Sequence, residues 1–311
     1  MDIKQKTMKR LLSNSFILDL ISGKLKEILI YIQRDNTLDL QIRNNNVNIY
    51  YRGGNILRII EKGSNSYEFE FDKNYLSSSN ANLINYMSNQ NWNQYFPSMK
   101  QSMDFYFSKN RKEERESQQL VVRENNYSSI ANGTDYFIID IEYDNHANAR
   151  FDLVAVEWPS RSSQRKLLKD YKPKLVVIEM KYGDKALSGT AGMKKHYDDF
   201  VSFVSNVIVL NDFKNEMLNV FRQKRELGLI PCLSSSGNSN QITQFADAPE
   251  LAFLIANHDP ASTKLKTELV TCRDISAKFI TSNFMGYGIY NEGIFDLEGF
   301  YKKHTNQFYE L

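Results

Sequence analysis

Residues 174–181, KLVVIEMK, place a carboxylate and an ammonium two positions apart at the end of an otherwise apolar run. A short run of β-branched and apolar residues reads as a β-strand. Because strand side chains alternate, Leu175, Val177, Glu179 and Lys181 share one face, and Val176, Ile178 and Met180 take the other. Ionised groups at the end of so hydrophobic a segment are costly unless they are paired, hydrated or bound to a metal. This strand therefore has to end at a charged site.

The preceding apolar run, RFDLVAVEW, also reads as a strand, with Asp152 on the same face as Val154 and Val156. If the two strands pair, the Asp152 carboxylate lies beside Glu179. Two neighbouring carboxylates raise each other's pKa unless a cation sits between them, and an all-oxygen donor set completed by water suits Mg²⁺, with Mn²⁺ as its substitute. Lys181 is then placed to orient or help deprotonate an attacking water and to offset charge on a phosphate. The competing reading is a strand-end ion pair between Glu179 and Lys181 with Asp152 as a turn carboxylate. Such a pair is worth only about 0–1 kcal/mol when exposed.

The surrounding pattern has a definite order. A helix over about 111–127 is followed by the strands YFIIDIEY, RFDLVAVEW and KLVVIEMK, a helix from Ala191 through Phe203 and beyond, and the strand ELAFLIAN. Ahead of it, residues 25–72 read as an antiparallel meander of strands: LKEILIYIQR, TLDLQIR, VNIYYR, NILRIIEK and SYEFEF. Gly53 and Gly54 supply the positive φ values of a tight primed hairpin turn, flanked by Arg52 and Arg58 as phosphate-touching or merely solvated charges. The pattern turns helical from Asn82 to Phe107. The charged segment SKNRKEERES marks a change of unit, so 1–110 is expected to be a β-rich accessory domain and 111–311 the domain that carries the site.

Asp152, then Glu179-Met180-Lys181 at a strand end, in helix, three-strand, helix, strand order, resembles the PD-(D/E)XK nuclease superfamily over roughly residues 111–260. Phe151 stands where the family pattern places proline. The resemblance implies an α/β protein with a restriction-endonuclease-like core, in which Asp152 and Glu179 ligate the metal, the backbone carbonyl of Met180 assists, and Lys181 acts on the attacking water. It further implies Mg²⁺-dependent hydrolysis of DNA phosphodiester bonds by a metal-activated water. RNA cleavage stays open, because the metal acts on phosphates common to both polymers. So does a catalytically inactive nucleic-acid-binding or protein-interaction module on the same fold, with the N-terminal domain serving a homodimer or another protein partner.

Three further acids, Asp140, Glu142 and Glu116, are candidates to enlarge the metal site. Glu142 shares a strand face with Tyr136, Ile138 and Asp140 by simple alternation, and Glu116 looks toward the sheet if Glu113, Glu116 and Leu120 form one helical stripe. Candidate nucleic-acid contacts are Arg161, Arg165 and Lys166 in a basic connection, and Lys194 and Lys195 at the start of a helix opened by a glycine-bearing loop. A solvated surface explains these charges equally well. The aromatic C-terminal run FITSNFMGYGIYNEGIFDLEGFY has base-stacking capacity but reads more simply as a final strand pair. None of the four histidines has ligand spacing, and His196 reads as a packing or surface residue.

A net charge of +2 over 311 residues decides nothing about nucleic acid, so binding would have to come from local patches. Cys232 and Cys272 form neither a zinc knuckle nor a disulfide framework. With no long apolar stretch for a membrane span or a secretory leader, the expected setting is the cytoplasm, without a membrane partner.

Overall fold

The computed structural model describes residues 10–63, 66–76, 91–145, 149–160, 172–189, 192–230, 242–259, 262–283 and 286–305. The protein is mixed α/β, with one four-stranded antiparallel sheet and one six-stranded mixed sheet. Two compact units divide it: Met1–Arg123 with Asn219–Ser236, and Glu124–Leu218 with Gly237–Leu311. Among the described residues no helix is long and apolar enough to cross a membrane.

The first unit contains α1 (Asn14–Ile21), α2 (Lys26–Arg34), the meander β1 (Leu38–Arg43), β2 (Asn46–Tyr51), β3 (Gly54–Gly63) and β4 (Ser66–Glu70), and then α3 (Trp92–Lys109). The run LKEILIYIQR, expected as a strand, is the helix α2. Its apolar residues satisfy both periods, but the ones buried are Leu25, Ile28, Leu29 and Ile32, a stripe of helical spacing. The hairpin after β2 also differs from expectation. Tyr51 pairs with Gly54, so the two turn residues are Arg52 and Gly53, at φ 50° and 73°, while Gly54 already belongs to β3. Gly54 is needed for a different reason: a Cβ there would lie 2.7 Å from both Met103 Cε and the Tyr75 hydroxyl.

Helix α4 (Glu113–Asn126) follows, and the division between the units falls near its end, later than residue 110. The cause is local. Gln119 donates to the carbonyls of Thr37 and Tyr50 at 2.9 Å each and accepts from the Gly53 N–H, which ties most of α4 to the first sheet.

The second unit is built on the order β10-β9-β8-β7-β6-β5. Strands β5 (Tyr136–Asp144), β6 (Arg150–Glu157) and β7 (Leu175–Tyr182) form the expected antiparallel meander; β8 (Glu250–Ala256) runs parallel to β7, and β9 (Lys278–Ser282) parallel to β8. The short β10 (Ile294–Phe295) closes the far edge antiparallel to β9. Val154, Val177, Ile178, Phe253 and Leu254 are fully buried. At about 1.5–3 kcal/mol for each large apolar side chain, such residues hold the central strands rigid beneath the site. The edge strand β5 is covered at Ile138, where the Asn126 side chain both donates to the carbonyl and accepts from the N–H at 2.8 Å, as a neighbouring strand would.

The helical segment expected to continue past Phe203 is two helices, α5 (Met193–Ser205) and α6 (Val207–Glu226). Asn206 breaks the run with extended backbone, and its side chain accepts from the Val209 N–H to start the next helix. Helices α7 (Thr263–Thr271) and α8 (Leu297–Thr305) complete the unit. The C-terminal aromatic run supplies β9 and β10 as anticipated, and Phe279, Phe300 and Tyr301 are buried. Phe279 stands 5.7 Å from Phe253 and 5.4 Å from Phe300, all three fully buried, which removes them from base stacking.

Candidate active site

The register of the central strands brings the sequence candidates together. Leu153 pairs with Ile178 and Val154 with Val177, so the next position outward sets Asp152 opposite Glu179. The ladder between β6 and β7 ends at Leu153 and Ile178. Beyond it the Met180 N–H donates instead to Asp152 Oδ2 at 2.8 Å. The aspartate thus replaces a strand partner where β6 and β7 part, which locks its carboxylate at the mouth of the opening.

The two carboxyl groups are close enough for Glu179 to bear on the titration of Asp152. Burial is the main reason the Asp152 carboxyl is raised above its ordinary range. The nearby Glu142 adds to the rise, while the Met180 N–H, Lys181 and Glu179 work against it. Glu179 and Lys181 are each only 3% exposed, and Lys181 Nζ lies 3.9 Å from Glu179 Oε2. At that separation the ammonium offsets charge without forming a tight bond. The ion pair of the competing reading is present, but both its residues are buried and Asp152 lies within β6 instead of in a turn.

Glu142 joins this group by a route that simple alternation misses. Ile138 pairs with Ala155 and Asp140 with Val154, leaving Ile139 as a bulge that reverses the faces of β5. Tyr136 and Ile138 therefore do not share a face with Asp140 and Glu142, as plain alternation had them. Ile141 opposite Leu153 and Tyr143 opposite Phe151 bracket Glu142 across from Asp152. Glu142 has φ 50°, a conformation that costs a side-chain-bearing residue about 1–2 kcal/mol. Asp140 is fully buried, its Oδ1 accepting from the Ile141 N–H at 3.0 Å.

His196, in the first turns of α5, has its Nδ1 3.2 Å from Glu179 Oε2. Burial, with Lys181 adding to the effect, pushes its pKa down to about 4, and its ring nitrogen stands against the carboxylate oxygen. The packing or surface histidine of the sequence reading lies against Glu179. No spacing rule links position 196 to position 179; only the return of α5 over the sheet brings them together.

The remaining candidates divide. Glu116 lies in the first unit, where it and Asp104 hold Arg52, with Arg52 Nε to Glu116 Oε1 and Nη1 to Asp104 Oδ1 at 2.8 Å each. The ion pairs engage both Glu116, expected near the metal, and Arg52, read as a phosphate contact. Lys194 and Lys195 are exposed and pair with Asp198 and Asp199 one helical turn on. Exposed pairs of this kind are weak and salt-screened, so they yield readily to a phosphate. Arg161, Arg165 and Lys166 lie outside the described residues.

Among the described residues, no three His, Cys, Asp or Glu side chains are arranged to hold a metal ion. Asp152 and Glu179 form a pair, and Mg²⁺ is commonly bound by one or two carboxylates with waters filling its shell. Two neighbouring carboxyl groups, one of them raised by burial, are a donor set that suits a hard dication. Comparison with protein-family models, curated proteins and solved structures finds no match for this chain.

Proposed function

We propose that this chain is a Mg²⁺-dependent nuclease that hydrolyses DNA phosphodiester bonds at the Asp152, Glu179 and Lys181 site. One observation carries the reading: the strand register sets Asp152 opposite Glu179 where two strands separate, with Asp152 fixed by the Met180 N–H and the Lys181 ammonium 3.9 Å from Glu179. The element order supports it. Helix α4, the antiparallel β5-β6-β7, α5 and a β8 parallel to β7 resemble the core of the PD-(D/E)XK superfamily.

Each residue has a distinct task. Asp152, fixed by the Met180 N–H, and Glu179 offer carboxylate oxygens to the cation. Glu142, opposite Asp152, adds negative charge that favours the cation further. When bound, Mg²⁺ supplies Lewis-acid activation of water and neutralises charge on the phosphate. Lys181 orients the attacking water and offsets the charge that develops on the phosphoryl oxygens. Lys194 and Lys195 exchange their aspartate partners for backbone phosphates, and the N-terminal unit positions substrate or a partner.

Purified protein with Mg²⁺ or Mn²⁺ is expected to nick plasmid DNA, and Asp152→Ala, Glu179→Ala or Lys181→Ala to abolish cleavage while the circular dichroism spectrum stays native. Cleavage at the unaltered rate by all three variants would refute the assignment. The same assay on single-stranded RNA separates DNA from RNA as the substrate.

A further inference from the structure

We propose that His196 is a positioning residue for Glu179, a role that rests on the metal-site reading above. The geometry is specific. His196 Nδ1 approaches Glu179 Oε2 at 3.2 Å, and Lys181 Nζ approaches the same oxygen at 3.9 Å. Glu179 thus meets a lysine from its own strand and an imidazole ring from α5 at one oxygen.

The two contacts differ in what they fix. Lysine is a flexible point charge at the edge of contact distance and sets no orientation. An imidazole N–H on a helix is directional, and α5 holds it: the His196 backbone N–H donates to the carbonyl of Gly192, the residue that caps the helix. The ring is a quarter exposed while the carboxylate it contacts is nearly sealed, so His196 forms part of the wall between Glu179 and solvent. A carboxylate that must present an oxygen to a cation gains from a donor that holds its plane, and outer-sphere donors of this kind contribute about 10- to 100-fold to metal affinity.

This assignment makes His196 distinct from a catalytic base. It reaches the reaction through Glu179.

The test is calorimetric titration of Mn²⁺ into the full-length protein and its His196→Phe, His196→Asn and Glu179→Ala variants, each first checked for a native thermal transition. Phenylalanine keeps the ring volume and removes the donor, whereas the Asn Nδ2 is as many bonds from Cβ as the histidine Nδ1. His196→Phe is expected to lose about 10- to 100-fold in Mn²⁺ affinity, His196→Asn to recover most of it, and Glu179→Ala to show no binding. In the nuclease assay, activity of His196→Phe should rise again at high Mn²⁺, with KM for DNA unchanged. Wild-type affinity in His196→Phe alongside lost binding in Glu179→Ala would overturn the positioning role and leave the metal site standing. Equal loss in His196→Asn and His196→Phe would also overturn it, because packing would then be the whole effect. Mn²⁺ binding by Glu179→Ala at wild-type affinity, or none by the wild type, would overturn both readings.

Discussion

Replacing Asp152 separates its structural task from its chemical one. Its carboxylate accepts the Met180 N–H at 2.8 Å, so alanine would leave a backbone N–H without its acceptor where two strands part. Stranding a buried donor costs about 1–3 kcal/mol. For a domain of this size, each kcal/mol lowers Tm by roughly 2–4 °C. Asparagine behaves differently: its carbonyl oxygen still accepts from Met180, and the buried negative charge is gone. Metal-free Asp152→Asn should therefore be as stable as the wild type at pH 7 or more so, while Asp152→Ala melts lower.

The pH dependence has a definite sign. Burial raises the Asp152 carboxyl in the folded protein, so the native state retains a proton that the unfolded chain releases near the ordinary value of 3.8. This group's contribution is most favourable at or below that pH and declines as pH rises toward the raised value. Asp152→Asn removes that decline. Differential scanning fluorimetry from pH 4 to 8, with EDTA and with Mg²⁺, reads all of this, since Mg²⁺ should stabilise the wild type and neither variant. Equal destabilisation by asparagine and alanine, or equal Mg²⁺ stabilisation of the wild type and Asp152→Asn, would refute the reasoning.

Other outcomes follow from the same structure. Gly53→Ala forces a side chain into φ 73° and sets its Cβ 2.4 Å from the Arg115 backbone, for a loss of about 2–5 kcal/mol. Gly183→Ala meets nothing within 4 Å, but φ 64° with ψ 175° is backbone that essentially glycine alone adopts, so it should cost about 1–3 kcal/mol by thermal melting. Lys100→Met removes hydrogen bonds to Asp35 and Thr37, which outweigh burial and hold the Asp35 carboxyl low. Its cost, about 1.5–3 kcal/mol in urea unfolding, should be complete above the ordinary carboxylate value and fade as pH falls below it. A Lys194→Ala, Lys195→Ala double variant should flatten the salt dependence of DNA binding by about 0.9 in log–log slope for each phosphate that the missing ammonium groups no longer neutralise.

How much of the fold could be foreseen from the sequence depended on whether the information was local. Strands β5, β6 and β7, and the shared face of Glu179 and Lys181, follow from alternation alone. Pairing β6 with β7 then sets Asp152 opposite Glu179 without further assumption. Alternation fails at Ile139, because a bulge is one unpaired residue that leaves no trace in hydrophobic pattern. The segment holding Leu25 and Ile32 fits both periods, and only its packing selects the helix. Glu116 carries helical spacing toward a sheet, yet Arg52, far away in sequence, engages it. His196 is the same problem in reverse: a tertiary contact with no sequence spacing to announce it.

The central claim is that Asp152 and Glu179 together clamp a hard dication. Anomalous scattering from a crystal soaked in Mn²⁺ tests it most directly. The predicted result is one peak bonded to carboxylate oxygens of both residues, with Lys181 alongside. A crystal saturated with Mn²⁺ that shows no peak there, or a peak bound only elsewhere on the chain, would contradict it.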